Sequence, residues 1–314
     1  MIISDTLSKS RIKNIRSALV SITSKLKWLG LLGILGLILD NNILRIFSVF
    51  AILVFFEVSI PVSLQGIYQF LGIIYTYLTN KFKLPSKENY TPKNEYILPF
   101  SGKWTVANGG ITKKLSHSWC IPSQRYGYDF IVLDSEGKSY KGDNKICENY
   151  FCYDKEIIAP ADGEVVKLVK KYKDSYVDGK NAYCNANDMR GNYIIIKHNN
   201  NEYSLIAHIK QNSIIHNIGD KVKQGEIIAK CGNSGNSSEP HIHFQLQLGQ
   251  NFFTAVGLPI CFVNIKAEKK GNYENFDKRD CSENLQIVEN KTYIGRGLEV
   301  ENNWNKITEC PHFT

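Results

Sequence analysis

Eight cysteines occur in the 314 residues, yet no two of them form a C-x-x-C pair. That absence argues against a zinc ribbon or a thioredoxin-like motif. The even count is compatible with disulfides in an exported domain, and equally with reduced thiols packed as small hydrophobes. Cysteine usage therefore assigns no compartment. A basic folded region is also missing. The net charge is +8, but Lys9, Arg11, Lys13, Arg16, Lys25 and Lys27 against Asp5 place +5 of it in residues 1–27. Only about +2 remains for residues 90–314, which speaks against a nucleic-acid partner. Helical periodicity is nearly absent after residue 90, no hairpin tip carries the lysine a lipoyl carrier needs, and no separate wall-binding repeat is visible.

No apolar run reaches the roughly 20 residues of a membrane span, although three come close. Trp28–Leu39, Ile43–Ile60 and Val62–Leu78 are separated by Asp40-Asn41-Asn42 and by Pro61. The region is too long for a signal peptide and lacks a small-residue cleavage site. Residues 28–79 are therefore expected to form an α-helical membrane anchor of two or three passes behind a basic cytoplasmic N-terminus. An odd number of passes would place the rest outside the lipid bilayer, an even number inside. Residues 80–95, with Pro85 and Pro92, read as a polar linker.

From Tyr96 the chain is strand after strand. The predicted strands are 96–100, 104–107, 128–133, 156–159, 163–169, 192–197, 202–209, 221–222, 226–230 and 241–248, joined by turns such as Pro160-Ala161-Asp162-Gly163. This is an all-β domain over 96–265, expected as two packed antiparallel sheets. Residues 266–314 form a polar extension with one strand at 292–300, placed as an added edge.

One stretch carries the chemistry, Ser234-Gly-Asn-Ser-Ser-Glu-Pro-His-Ile-His-Phe-Gln245. Strand alternation puts His241 and His243 on one face, about 6–7 Å apart. Asp129 sits inside the apolar strand Tyr128–Leu133, where a carboxylate is costly unless paired or bound to a cation. His208 lies near the end of another apolar strand, and His117 shortly precedes Asp129. Histidines and a carboxylate suit Zn²⁺, with one position left for water.

These segments resemble the lysostaphin/LytM-type zinc metallopeptidases that cut peptidoglycan cross-links. The likeness is carried by Gln124-Arg-Tyr-Gly-Tyr-Asp-Phe130, Ile157-Ile-Ala-Pro-Ala-Asp-Gly-Glu-Val-Val166 and Gly191-Asn-Tyr-Ile-Ile-Ile196. It continues in Tyr203-Ser-Leu-Ile-Ala-His-Ile209, Gly219-Asp-Lys-Val-Lys-Gln-Gly225 and Gly232–Phe244. The resemblance implies a duplicated-hybrid-motif β fold with a groove over one Zn²⁺ per chain. It implies Asp129 and His243 as metal ligands, and His208 and His241 as catalytic histidines. It departs at Arg125, where the usual first ligand is a histidine. Arginine stays protonated and has no lone pair to offer. Either His117 supplies the third ligand, or the site is degenerate and the domain binds cell wall or a partner without cutting.

Other residues have plainer readings. His198 is expected to be solvated in a hairpin turn, His216 to lie in a loop and His312 in the tail. Asp162 and Asp220 serve turns. Asn108-Gly109-Gly110 either borders the groove or is a simple turn, and Tyr203 either meets substrate or packs in the core. The expected function is a membrane-anchored zinc endopeptidase acting on peptidoglycan peptides, outside the membrane. The alternatives are a non-catalytic wall-binding module and a processing peptidase for an exported peptide.

Overall fold

Ten short strands, the central ones rich in large apolar side chains, pair edge to edge into a single antiparallel sheet. The computed structural model describes residues 22–23, 25–56, 60–177, 187–282, 286–288 and 291–307. The strands are β1 (Trp104–Asn108), β2 (Tyr128–Ile131), β3 (Glu156–Ile158), β4 (Gly163–Val169), β5 (Asn192–Lys197), β6 (Glu202–Ile209), β7 (Lys221–Val222) and β8 (Ile227–Lys230). They continue as β9 (Ile242–Leu248), β10 (Val256–Gly257), β11 (Phe262–Val263), β12 (Ile265–Lys269), β13 (Gln286–Val288), β14 (Lys291–Tyr293) and β15 (Leu298–Asn302). The large sheet runs β12-β15-β1-β2-β9-β6-β5-β4-β7, with β10 also on β9. A β3–β8 ribbon and a β11-β14-β13 sheet complete the fold, in place of the two sheets expected.

Alternation along β9 and β2 sets the two faces. Ile242, Phe244 and Leu246 of β9, with Tyr128 and Phe130 of β2, enter the main core. Ile194, Ile196 and Ile206 join them, and Ile157 and Ile228 of the small ribbon cover them. Burial of each such side chain contributes about 1.5–3 kcal/mol. The intervening residues point to the opposite face, where Tyr193, Ile195, Leu205, Ala207 and Phe252 form a second cluster. That face carries the histidines.

The C-terminal extension does add strands at one end of the large sheet, but the edge strand is β12 and not the stretch 292–300. β15 is inserted between β12 and β1, and β14 belongs to a different sheet. The single predicted strand over 292–300 is therefore two strands, separated by a turn at Arg296-Gly297. His198 is also corrected. It is 3% exposed, with Nδ1 2.7 Å from the Asp162 carbonyl and Nε2 2.9 Å from Ser204 Oγ. The turn it sits in folds back onto the sheet, so the ring becomes a core hydrogen-bonding group. His216 does lie in a loop, and His312 falls outside the described residues. The six described cysteines are free thiols.

The stretch 80–95 is pinned to the sheet. The fully buried Glu202 carboxylate accepts hydrogen bonds from the hydroxyls of Tyr90 (2.7 Å) and Tyr96 (2.8 Å). It also accepts from the backbone N–H of Lys93 and Asn94 and from Asn94 Nδ2.

The membrane passes expected over 28–79 find no support among the described residues. Among the described residues no helix is long and apolar enough to cross a membrane. Helix α1 (Gly30–Ile38) ends before Asp40, and Asn41 caps α2 (Asn42–Ile46) by accepting from the N–H of Ile43 and Leu44. Helix α3 (Ile60–Thr79) has the length, with Pro61 in its first turn, but polar side chains interrupt it. Gln65, Gln69, Gly72 and Thr76 form one stripe at helical spacing, turned toward the β domain. Gln65 bonds the Asn187 carbonyl and the Met189 N–H. Gln69 meets Gln124, and Thr76 bonds the Thr254 carbonyl. A Cβ at Gly72 would stand 2.0 Å from the Phe253 carbonyl oxygen, so only glycine permits this approach.

Candidate active site

Asp129 and His243 are direct cross-strand neighbours on β2 and β9. Their side chains leave the sheet together, and His243 Nδ1 lies 2.8 Å from Asp129 Oδ1. His241, one alternation earlier, brings Nε2 to 3.7 Å from the same oxygen. Across β6, Ala207 pairs with His243. Strict alternation would then send His208 into the core. It does not, because β6 carries one extra residue between Ile206 and Ile209 relative to β5. The bulge puts His208 at φ +62°, a left-handed conformation uncommon for histidine, and turns its ring back onto the site face. Its centroid lies 4.6 Å from His241 and 6.0 Å from His243.

His117 arrives from the loop after β1. A second bulge, at Ala107, lets Asn108 pair with Asp129, and Asn108 Oδ1 accepts the His117 backbone N–H at 3.0 Å. The His117 Nδ1 then lies 3.8 Å from Asp129 Oδ2, the carboxylate oxygen that His243 does not use. Asn108 thus borders the site rather than serving only as a turn. Arg125 faces away. Its guanidinium bonds the Trp119 carbonyl and the Tyr77 hydroxyl and lies over the Trp119 ring. Tyr203 packs against the second apolar cluster.

Each ring is held by its other nitrogen. His208 Nδ1 meets the Ser234 carbonyl at 2.7 Å, and His241 Nδ1 meets the Glu239 carbonyl at 2.8 Å. A carbonyl can only accept, so Nδ1 of each carries the proton and Nε2 keeps its lone pair. His243 Nε2 lies 3.0 Å from Gln245 Oε1, and Gln245 is fixed in turn by the Ser123 carbonyl. Sequence reading passed over Gln245, although His241, His243, Gln245 and Gln247 form one polar face alternating with Ile242, Phe244 and Leu246. It also passed over Gly127, where a Cβ would crowd His243 Cε1 at 3.1 Å.

Burial alone would raise the Asp129 carboxyl. The hydrogen bond with His243 and the neighbouring imidazoles outweigh it and hold the carboxyl well below its ordinary range. Burial likewise opposes charge on His243, but the bond to Asp129 overcomes it and raises the imidazole. His208 is pushed well down by burial and then by His241 and His243, and His241 is lowered by burial. Both are therefore neutral bases at neutral pH.

Among the described residues, Asp129 has imidazoles and no Lys or Arg at ion-pair distance. One carboxylate with two or three imidazoles is a donor set that fits Zn²⁺ with a place left for water. No three of the described side chains are yet arranged to hold an ion. The His243 proton that faces Asp129 must leave before that nitrogen can ligate a metal.

The antiparallel β domain thus presents a histidine–carboxylate cluster on one face of its large sheet. Residues 150–254, a third of the chain, match the family model described as peptidase family M23. The matched stretch includes His208, His241 and His243, whereas His117, Arg125 and Asp129 precede it. An uncharacterised metalloprotease of Buchnera aphidicola is 33% identical over 87 residues, covering 27% of this chain and 23% of its own. The peptidoglycan DD-endopeptidase ShyC of Vibrio cholerae is 31% identical over 68 residues, covering 22% and 15%. The chain thus spans under a quarter of either relative. Among solved structures, a zinc-containing peptidase from Vibrio cholerae is 20% identical with a TM-score of 0.33, over 52% of this chain and 39% of that one.

Proposed function

We propose that the chain is a zinc metalloendopeptidase that hydrolyses peptide bonds of peptidoglycan, held at a membrane with its β domain on the outer side. The observation that carries the catalytic part is His117 beside Asp129 Oδ2, opposite His243, despite Arg125 at the usual ligand position. Asp129, His243 and His117 would hold the Zn²⁺, which when bound supplies Lewis-acid polarisation of the scissile carbonyl and activation of water. His241 and His208, with the proton held on Nδ1, each present an unprotonated Nε2 to the cluster, that of His241 beside Asp129. Either can take the proton of an attacking water, and the imidazolium so formed can donate to the developing oxyanion or the leaving amine. The Ser234 and Glu239 carbonyls keep both rings in the tautomer this requires.

Metal analysis of the purified full chain tests the assignment. About one zinc per chain is expected, with loss of most of it in His117→Ala. Zinc retained in the variant would overturn His117 as a ligand. An unloaded wild-type chain, after reconstitution, would favour a wall-binding module.

The membrane part rests on α3. Its polar stripe faces the protein, while Ile67, Phe70, Leu71, Ile74 and Leu78 are 44–61% exposed. Such a helix suits the interface of a lipid bilayer, apolar side inward to the acyl chains. The full chain is expected to sediment with phosphatidylethanolamine/phosphatidylglycerol vesicles, and Phe70→Glu with Ile74→Glu to weaken this about ten-fold or more. Equal sedimentation of the double variant would sink the interfacial reading. A peptidoglycan substrate is what requires the outer side.

A further inference from the structure

Beside the histidine cluster lies a cavity of about 680 Å³ that the reaction as described does not use. Ser139, Tyr140, Tyr150 and Glu239 line it, together with Phe276 and Arg279 of the C-terminal extension. A second cavity of about 480 Å³ contains His117 and shares Arg279, so the two flank the site. The link to the chemistry is short, because the Glu239 carbonyl accepts the hydrogen bond that orients His241.

The charges around the larger cavity do not cancel evenly. Lys138 pairs with Glu136 at 2.7 Å and Arg279 with Asp277 at 2.6 Å. Among the described residues no cation lies within ion-pair distance of Glu239, whose carboxylate accepts only from Ser139 Oγ at 3.0 Å. Burial raises its carboxyl, the Ser139 hydroxyl opposing, so a cation arriving there would recover lost solvation. Tyr140, Tyr150 and Phe276 supply aromatic walls on which an alkylammonium can also settle.

We propose that this cavity is a substrate subsite for a primary ammonium group of the peptide, either a diamino-acid side chain or a free N-terminus, with Glu239 as its counter-ion. The subsite rests on the peptidase reading for its role, and it deepens that reading by making the enzyme selective for amine-bearing peptides. Asn275, Phe276, Asp277 and Arg279 line the cavity, which gives the C-terminal extension a part in recognition.

The test uses a tetrapeptide with one lysine and a fluorophore at its C-terminal amide, in three forms. One has a free side-chain amine, one a free N-terminus, and one has both acetylated. Binding is read by anisotropy in the full-chain Asp129→Asn variant, so that no turnover intervenes. One amine form is expected to bind on the order of ten-fold tighter than the doubly acetylated form, as a charge-assisted hydrogen bond would give. Which form does so identifies the source of the ammonium. Adding Glu239→Gln should erase the difference without changing the acetylated peptide's affinity. Affinities within two-fold across the three forms would overturn the subsite without any need for the second variant. So would a preference that survives Glu239→Gln. Cleavage followed separately in the wild-type chain keeps the two readings apart. Amine-dependent binding without cleavage would sink the peptidase reading alone, and equal kcat/KM for all three forms would sink the subsite alone.

Discussion

Asp129→Ala is expected to leave the chain folded, free of zinc and slower on purified peptidoglycan by about three orders of magnitude, or roughly 4 kcal/mol in the barrier. Asp129 is the one group that meets His117, His241 and His243 at once. Its removal leaves three imidazoles with no carboxylate to order them, and two nitrogen ligands where three ligands are needed. Asp129→Asn is the sharper variant, because it keeps the shape while losing the charge. Release of soluble fragments and zinc content should fall together in both variants, with unfolding midpoints close to wild type. Hydrolysis that persists without Asp129 would refute the site.

Glu202→Ala should be the most destabilising of these substitutions, by about 2–4 kcal/mol. It would orphan five donors, two tyrosine hydroxyls among them, and free the stretch 90–96 from the sheet. The same carboxylate confers a pH dependence. Burial would raise it, but the hydrogen bonds from Lys93, Tyr90, Asn94 and Tyr96 prevail and lower it below its ordinary value of 4.5. A depressed folded value means stability that is fully present above about pH 4.5 and lost as pH falls through the folded value. Urea midpoints between pH 7 and pH 3 should therefore fall more steeply for wild type than for Glu202→Gln. Parallel curves would show that folding does not lower the Glu202 carboxyl below its unfolded value.

Much of the β domain was legible in the residues. Alternation and turn chemistry located β4, β5, β6 and β7 to the residue, because each has a clean boundary of Gly, Asn or Asp. The extension was not legible. Leu298–Asn302 reads as a weak polar strand, and only its insertion between β12 and β1 makes Leu298 and Val300 core residues. The helical segment misled for a related reason. Hydropathy averages over all faces of a helix, so it missed that Gln65, Gln69, Gly72 and Thr76 share one stripe against the protein.

By itself the sequence determined that His241 and His243 share a face with each other, since a strand's period of two admits nothing else. It determined, too, that Asp129 needs a partner, since an apolar strand cannot hold a lone charge. Tertiary structure alone decided which partners these are. His117 meets Asp129 because a bulge at Ala107 frees Asn108 to bind its backbone, and the intervening loop has no period to read. His208 joins the cluster because one extra residue in β6 reverses its side. A bulge is a mismatch between two strands, and neither strand's own sequence contains it.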